Sequence, residues 1–595
     1  MTSVTLKLTE SPAASTRRLV APATEFLLWG LAFFAFRAFV LWLAGPRPFY
    51  RDEATFTEGA LRLAANRLDP QDYVHGPVIQ YLLLGTYLLT ALIKAAAGQI
   101  SGADGFIRWY IERPEELRHI GRFLMSIGGA ATISASMFAA HAISRSRSQA
   151  RFAALLLLSM PLFHHSSWYI KEDLWAALFG ILAAAVAYRG GPVILVGILW
   201  GVAIAAKYTA VALAPGLVAI LVTNRQASPS DLKHWLKSCA RLAAVAGAAF
   251  VIANPYALAR FGSLVAQLRE IASIYLAGDS TGGRPPILAM LVFREFLPFG
   301  VGAATLLCFC GTLALGCRKI LMRQFALVLV PAAVIALLAI SRSGFSRTLT
   351  LALPWLVVFA STIWPLLDHL RPRFTKPALC LLVAALAVAQ VAGLYRYVTA
   401  VDTRELAKAY IERSVSANAV ILLEGVHGYA TDAGPALRPN VIALKAEQEE
   451  NLDKGATGRL NRMQQSAAAA DPGGRFETVG MKDFALSGAD QLDRADVVIT
   501  SKWPSIFPEA RAYNIPEDST QHAVAAYERG RRAFYESMGQ KGFRLLRKFT
   551  PTLRARWSFI DRPDPAVFGP DSWLGGGEKV VGPDIAIYCR SDHQD

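Results

Sequence analysis

Two adjacent carboxylates, Asp52 and Glu53, close the first long apolar run and open the stretch Phe49–Pro77, FYRDEATFTEGALRLAANRLDPQDYVHGP. A carboxylate at the rim of an apolar slab stays hydrated, while the low dielectric beside it raises its basicity. That combination suits a general base. Asp52 is the first candidate, with Glu53 as a second catalytic group or as the residue that orients the loop. The same residues, with Arg51, also read as a solvated helix flank. Behind them Phe56, Ala60, Leu63 and Ala64 recur at helical spacing while Glu58, Arg62 and Arg67 fall elsewhere. The spacing predicts an amphipathic helix over Thr55–Leu68 lying on the membrane surface. Asp72, Tyr73 and His75-Gly76-Pro77 follow, ahead of another apolar run.

A second polar mark sits at His164, His165, Trp168, Tyr169, Lys171, Glu172 and Asp173. Glu172 and Asp173 form an acidic pair that the topology derived below places level with the first. They are the candidate ligands for a divalent ion, Mg or Mn, since hard cations take oxygen donors. The two histidines have no further partner at metal-site spacing and read as ordinary loop residues. Lys207-Tyr208 interrupts the apolar run Pro192–Thr223, which as one helix would be about 48 Å long, too long for a core of about 30 Å. Lys207 therefore marks an external break between two short spans.

The elements that must carry these groups are membrane helices. The chain has 595 residues, 53% hydrophobic and only 18% charged, with a mean hydropathy of +0.34, and its apolar residues are gathered into long runs. This excludes an ordinary soluble protein. The runs fall at 25–44, 77–97, 122–143, 152–165, 174–188, 192–206, 208–223, 241–258, 287–316, 324–340, 348–367 and 377–397. Parity decides which of them cross. If 77–97 stays on one side, the cations of the loops at 144–151, 189, 225–241, 318–323 and 371–376 all face the cytoplasm. They then outnumber the outer cations at 171, 207, 260–284 and 342–347 by about two to one, as the positive-inside rule requires. If it crosses, every later loop violates the rule. The reading is thus eleven spans, a cytoplasmic N-terminal tail over 1–24, a first external loop over 45–121, and an outer C-terminus.

The net charge of +16 resides in these loops, and no basic stripe with interleaved aromatics suggests nucleic acid. Arg17 and Arg18 precede the first run without a small-residue cleavage site after it, so a cleavable leader is not expected. Beyond Tyr397 no spanning run occurs. Short strand-like segments at Ala419–Leu423, Val441–Leu444, Val497–Thr500 and Ile585–Tyr588 alternate with helical patterns near Thr403–Arg413, Leu460–Ala470 and Thr520–Met538, the last capped by Asp518-Ser519. Residues 398–595 are therefore expected to form a separate extracytoplasmic α/β domain. It carries no GxGxxG, GxSxG, P-loop or HExxH, and only Cys589 among its residues is a cysteine, so no chemistry of its own is assigned to it.

In order along the chain stand Arg51-Asp52-Glu53-Ala54, His75-Gly76-Pro77, Arg122-Phe123-Leu124-Met125-Ser126, Trp168-Tyr169-Ile170-Lys171-Glu172-Asp173, Ala206-Lys207-Tyr208-Thr209, Asn254-Pro255-Tyr256 and Gly344-Phe345-Ser346-Arg347 with Pro354-Trp355. This series resembles the glycosyltransferase C superfamily, and within it the clan of protein O-mannosyltransferases and lipid A aminoarabinose transferases. The resemblance covers about 25–397. It implies a multi-pass transferase of the cell (inner) membrane that takes a sugar from a polyprenyl-phosphate donor and delivers it, with inversion, to a protein, lipid or glycan on the outer face. It also implies membrane-surface helices in the first external loop. The chain departs from the family's His-Pro-Pro-Leu at His75-Gly76-Pro77-Val78 and from its Arg-Tyr at Arg347-Thr348, positions that bear on the donor pocket and the sugar.

Such a transfer needs a base for the acceptor hydroxyl and cations for the charge that builds on the departing phosphate. Asp52 fits the first need. Lys207 and Arg347, with Arg294, His75 and Lys171, fit the second; interfacial snorkelling is the alternative for Lys207 and Arg347. A divalent ion bridging Glu172 or Asp173 to the phosphate is the competing arrangement. Two other classes share these features. A lipid-linked sugar flippase would show matched broken helices, which are not evident, and a polysaccharide polymerase or ligase would move a whole oligosaccharide.

Overall fold

The computed structural model describes residues 12–46, 53–71, 73–224, 232–277, 301–316, 318–340, 346–369, 372–424, 426–427, 430–431, 437, 439–443, 476–481, 489–502, 532–550, 580–581 and 584–591. Asp52, Asp72, Arg294, the Leu460–Ala470 helix and the Asp518-Ser519 cap lie outside them.

Each apolar run of the sequence contains a helix. The first nine helices are α1 (Pro12–Ala44), α2 (Glu53–Ala65), α3 (Val78–Ala96), α4 (Gly102–Glu112), α5 (Pro114–Ser144), α6 (Arg147–Leu158), α7 (Pro161–Ser166), α8 (Asp173–Tyr188) and α9 (Val193–Ala206). Among the described residues, six helical segments are long and apolar enough to cross a membrane, and five shorter apolar helices accompany them. Leu27, Leu28, Leu31, Trp42, Leu92, Ile252 and Leu381 are exposed. Side chains of this size on so many helix faces need a lipid solvent. The chain is a polytopic α-helical membrane protein with a C-terminal sheet domain.

The break foreseen at Lys207 is present. Lys207 is extended, with φ −151° and ψ 121°, and a 3-10 turn over Tyr208–Leu213 separates α9 from the next helix, Ala214–Asn224. Helix α9 packs on α8 and on Leu232–Ala253, whereas Ala214–Asn224 packs on α8 and on Arg318–Ile340. Helix α3 has 19 residues, enough to span on length and composition alone, so its length does not separate the two readings of 77–97.

One expectation needs correcting. Helix α2 is where the periodicity puts it, but it does not lie open on a membrane surface. Phe56, Ala60 and Leu63 are buried, and so are Thr57 and Glu58 on the face read as polar. The helix is wedged against α3 and α5, and Glu58 accepts a hydrogen bond from Tyr110 Oη at 3.4 Å. The partner of Glu58 comes from a separate helix, which periodicity within one helix cannot reveal.

In the C-terminal domain a six-stranded sheet runs Pro439–Ala443, Phe476–Met481, Val420–Glu424, Val497–Lys502, Asp584–Arg590, Phe543–Phe549. The first four strands are parallel, and the last two join antiparallel. The central segment VILLE is buried along most of its length, as parallel strands covered on both faces are. Helix Thr403–Ser414 covers one face and is capped by the Asp402 carboxylate, which accepts from Arg404 N at 2.8 Å.

Candidate active site

The segment between α7 and α8 is where the candidate residues meet. It can lie close to α5 because α5 presents Gly121: a Cβ there would stand 2.5 Å from Ile170 Cδ1. From this seat the segment, with the end of α7, meets several other elements. On one side Ser166 Oγ lies 2.8 Å from Thr350 Oγ1, tying it to the 3-10 turn Ser346–Ala352. On another, Arg37 of α1 donates to His164 O at 2.8 Å and to Ser167 Oγ at 2.6 Å, with its guanidinium 5.6 Å from the Trp168 ring.

Toward α2, the Ile170 N–H donates to Glu53 Oε1 at 3.3 Å. Glu53 is fully enclosed, and Arg122 of α5 grips it through two bonds, Nε to Oε1 at 2.9 Å and Nη2 to Oε2 at 2.5 Å. Paired donors on a guanidinium match both carboxylate oxygens, which makes this the strong form of ion pair. Oε1 accepts two bonds and Oε2 one, and the pair ties the start of α2 to α5.

Toward α3 and α9, four side chains form one buried cluster. Lys207 Nζ is bonded to Asp173 Oδ1 and lies 3.6 Å from Glu172 Oε1; Glu172 Oε1 is also 3.3 Å from His75 Nδ1. Burial pushes the Glu172 carboxyl up, but Lys207, His75 and Lys171 outweigh it and hold the group well below the usual carboxylate range. His75 reaches the cluster because its neighbour is glycine. At Gly76 a Cβ would run into the carbonyl oxygens of Ala205 and Ala206 at the end of α9, so only a residue without a side chain lets the loop lie against the turn that presents Lys207. Phe56 completes this wall, its ring 4.8 Å from that of His75 and 5.2 Å from Lys171 Nζ.

The structure thus brings together Glu53, His75, Lys171, Glu172, Asp173 and Lys207. Lys207 does not snorkel: it is buried between two carboxylates, because the break after α9 turns it inward. Arg347 lies in the 3-10 turn bonded through Thr350 to Ser166, but its side chain is outside the described residues, as are Asp52 and Arg294. Sequence reasoning missed Arg122 as the partner of Glu53, having quoted it only as a helix opener, and missed Arg37 altogether. The signal for Arg37 was available, since an arginine in the middle of an apolar run is a functional or structural mark.

A divalent ion at Glu172 and Asp173 would have to share them with Lys207. The Lys207 ammonium already stands where their carboxylates converge, and among the described residues no group of three or more His, Cys, Asp or Glu side chains is arranged to hold a metal. No step is routed through a metal here.

No protein-family model matches the chain, and no curated protein sequence matches it. Among solved structures it is similar to ArnT from Cupriavidus metallidurans in the apo state, with 18% identity, 64% of this chain and 72% of that one covered, and a TM-score of 0.41. It is also similar to the same protein bound to undecaprenyl phosphate, with 15% identity, 84% of each chain and a TM-score of 0.40. A third likeness is to the Archaeoglobus fulgidus oligosaccharyltransferase tethered with an acceptor peptide, with 11% identity, 94% and 88% covered and a TM-score of 0.43.

Proposed function

We propose that the chain is a membrane glycosyltransferase that moves a sugar from a polyprenyl-phosphate donor to an acceptor hydroxyl on the extracytoplasmic side, with inversion, and that Asp52 is the general base. The observation that supports this most is the convergence of four short sequence motifs that are far apart in the chain. His75, Glu172-Asp173 and Lys207 meet in one polar cluster, and Glu53 is tied to the same segment through the Ile170 N–H. Asp52 is the chain neighbour of Glu53, whose carboxylate is fully engaged by Arg122. We assign the gripped residue to fixing the loop and its neighbour Asp52 to the role of base.

In this reading the lone pair of the acceptor oxygen attacks the anomeric carbon as Asp52 takes the hydroxyl proton. The bond to the phosphate oxygen breaks on the opposite face, and the polyprenyl phosphate leaves as an anion. Lys171, His75, Arg294 and Arg347 are assigned to that anion. Lys207, bonded to Asp173 and close to Glu172, is assigned to holding that pair in place and to meeting the phosphate with its remaining donor capacity. The domain over 398–595 is placed on the same outer side by the loop charges.

The test is purified protein, a panel of polyprenyl-phosphate sugars, and mass spectrometry of the membrane components. The reading predicts one component that gains a single hexosyl or pentosyl mass. Gain of a whole oligosaccharide would indicate a polymerase or ligase, and movement of donor across a vesicle without any mass gain would indicate a flippase.

A further inference from the structure

The loop that leads from α2 to His75 follows an unusual path. Arg67, Leu68 and Gln71 have φ values of 51°, 67° and 54°, all in the left-handed region and none of them glycine. Side chains rarely adopt that region, and a run of such residues persists only where surrounding contacts impose it. Those contacts come largely from the far segment Asn254–Gln267. Gln267 Oε1 accepts from Tyr73 N at 2.5 Å while its Nε2 donates to Gln71 O at 3.1 Å, reading the loop backbone from both ends of one amide. Tyr256 Oη donates to Arg67 O at 2.5 Å, and Arg260 Nε lies 3.3 Å from Asp69 Oδ2. Asp69 Oδ1 in turn accepts from Gln71 N at 3.0 Å and from Tyr73 Oη at 3.1 Å. Tyr73, Ala257 and Leu264 close a small apolar core between the two segments.

We propose that Tyr256, Arg260 and Gln267 are positioning residues: they clamp Arg67–Gln71 and Tyr73 in this left-handed path and thereby set His75 against Glu172. The inference about turnover rests on the transferase reading above; the clamp itself does not. Tyr73 is two residues from His75, whose Nδ1 must stay 3.3 Å from Glu172 Oε1. Two residues of chain transmit a loop shift with little loss, and displacement of about 1 Å at a reacting centre costs up to about 100-fold in rate.

The test uses the full-length protein in detergent or nanodiscs. Gln267→Ala, the double variant Gln267→Ala/Arg260→Ala and the conservative Gln267→Glu are compared by hydrogen exchange and by turnover. The side chain of Arg260 is 57% exposed, so these variants are expected to fold, and unchanged exchange in the core of α5 confirms it. The proposal predicts faster exchange at the Tyr73 amide in both alanine variants, turnover lowered about tenfold or more with donor KM moved less, and partial recovery in Gln267→Glu, which keeps the acceptor for Tyr73 N. Unchanged exchange at Tyr73 would overturn the clamp. Faster exchange with unaltered turnover would overturn its positioning of the site. If the unaltered protein transfers no sugar, the transferase reading fails, and the exchange result still decides the clamp.

Discussion

Glu53 and the pair Glu172-Asp173 read alike along the chain and are held very differently in space. Glu53 gives both oxygens to one guanidinium and takes one backbone N–H. Glu172 and Asp173 instead share a single ammonium, with His75 as fourth member and Lys171 near enough to act on Glu172. The first is a closed pair with fixed geometry. The second is a shared cluster in which each carboxylate holds only part of its counter-charge. A closed pair is suited to anchoring, a shared cluster to a place where a further anion arrives, because its cations can redistribute their bonds at low cost.

Breaking the closed pair should have the largest effect. Arg122→Ala leaves the Glu53 carboxylate buried without its partner, a loss of about 3–5 kcal/mol out of a typical total of about 5–15 kcal/mol. The variant is expected to accumulate poorly and to melt early in a detergent thermal-shift assay. Exchanging both residues for apolar ones of similar size, Glu53→Leu with Arg122→Met, should recover much of that stability. A single Arg122→Ala protein as stable as the parent would show that the pair anchors nothing.

The shared cluster should be more forgiving. Lys207→Ala still leaves His75 and Lys171 beside Glu172, so a loss of about 1.5–3 kcal/mol is expected. It should also change the pH profile. Glu172 is held below its usual range in the folded protein, so its contribution is fully present above the unfolded value of about 4.3 and is lost as the pH falls through the lower folded value. Without Lys207 that lowering shrinks. The stability of Lys207→Ala relative to the parent should therefore be worst near neutral pH, and the gap should narrow below about pH 4. A gap that does not vary with pH would remove Glu172 from the account.

Smaller effects sharpen the same contrast. Ser166→Ala removes one hydrogen bond to Thr350, expected at about 1 kcal/mol, measurable by the same thermal shift. Chelation should do least. Lys207 occupies the point where Glu172 and Asp173 converge, so EDTA is expected to leave transfer unchanged, and loss of transfer restored by Mg or Mn would displace Lys207 from that role.

How much of this could be read beforehand differs by region. Runs of apolar residues mark each membrane helix, since length and hydropathy are local properties, and the break at Lys207 follows from length alone. Four of the six sheet strands overlap segments rich in branched apolar residues. Phe543–Phe549, FRLLRKF, was not legible as a strand because it is an edge whose charged side chains at Arg544, Arg547 and Lys548 face outward, which hides the alternation. Phe476–Met481 mixes Glu, Thr and Gly into a short strand and offers no clear period. At the site, residue types were legible and partners were not. Nothing local in Arg122-Phe123-Leu124 indicates that its guanidinium meets a carboxylate 69 residues earlier. Burial of Glu58 likewise depends on Tyr110, from a separate helix.

The central claim is that Asp52 is the general base, and Asp52→Asn tests it most directly. The amide keeps the shape of the side chain but has no useful basicity. Loss of a general base lowers the rate by about 10²–10⁴-fold, whereas the isosteric amide is expected to leave the protein folded. Sugar transfer measured by mass spectrometry on Asp52→Asn protein, at matched expression and with donor binding checked separately, should give a folded, donor-binding, inactive enzyme. Near-normal turnover in that variant would contradict the account.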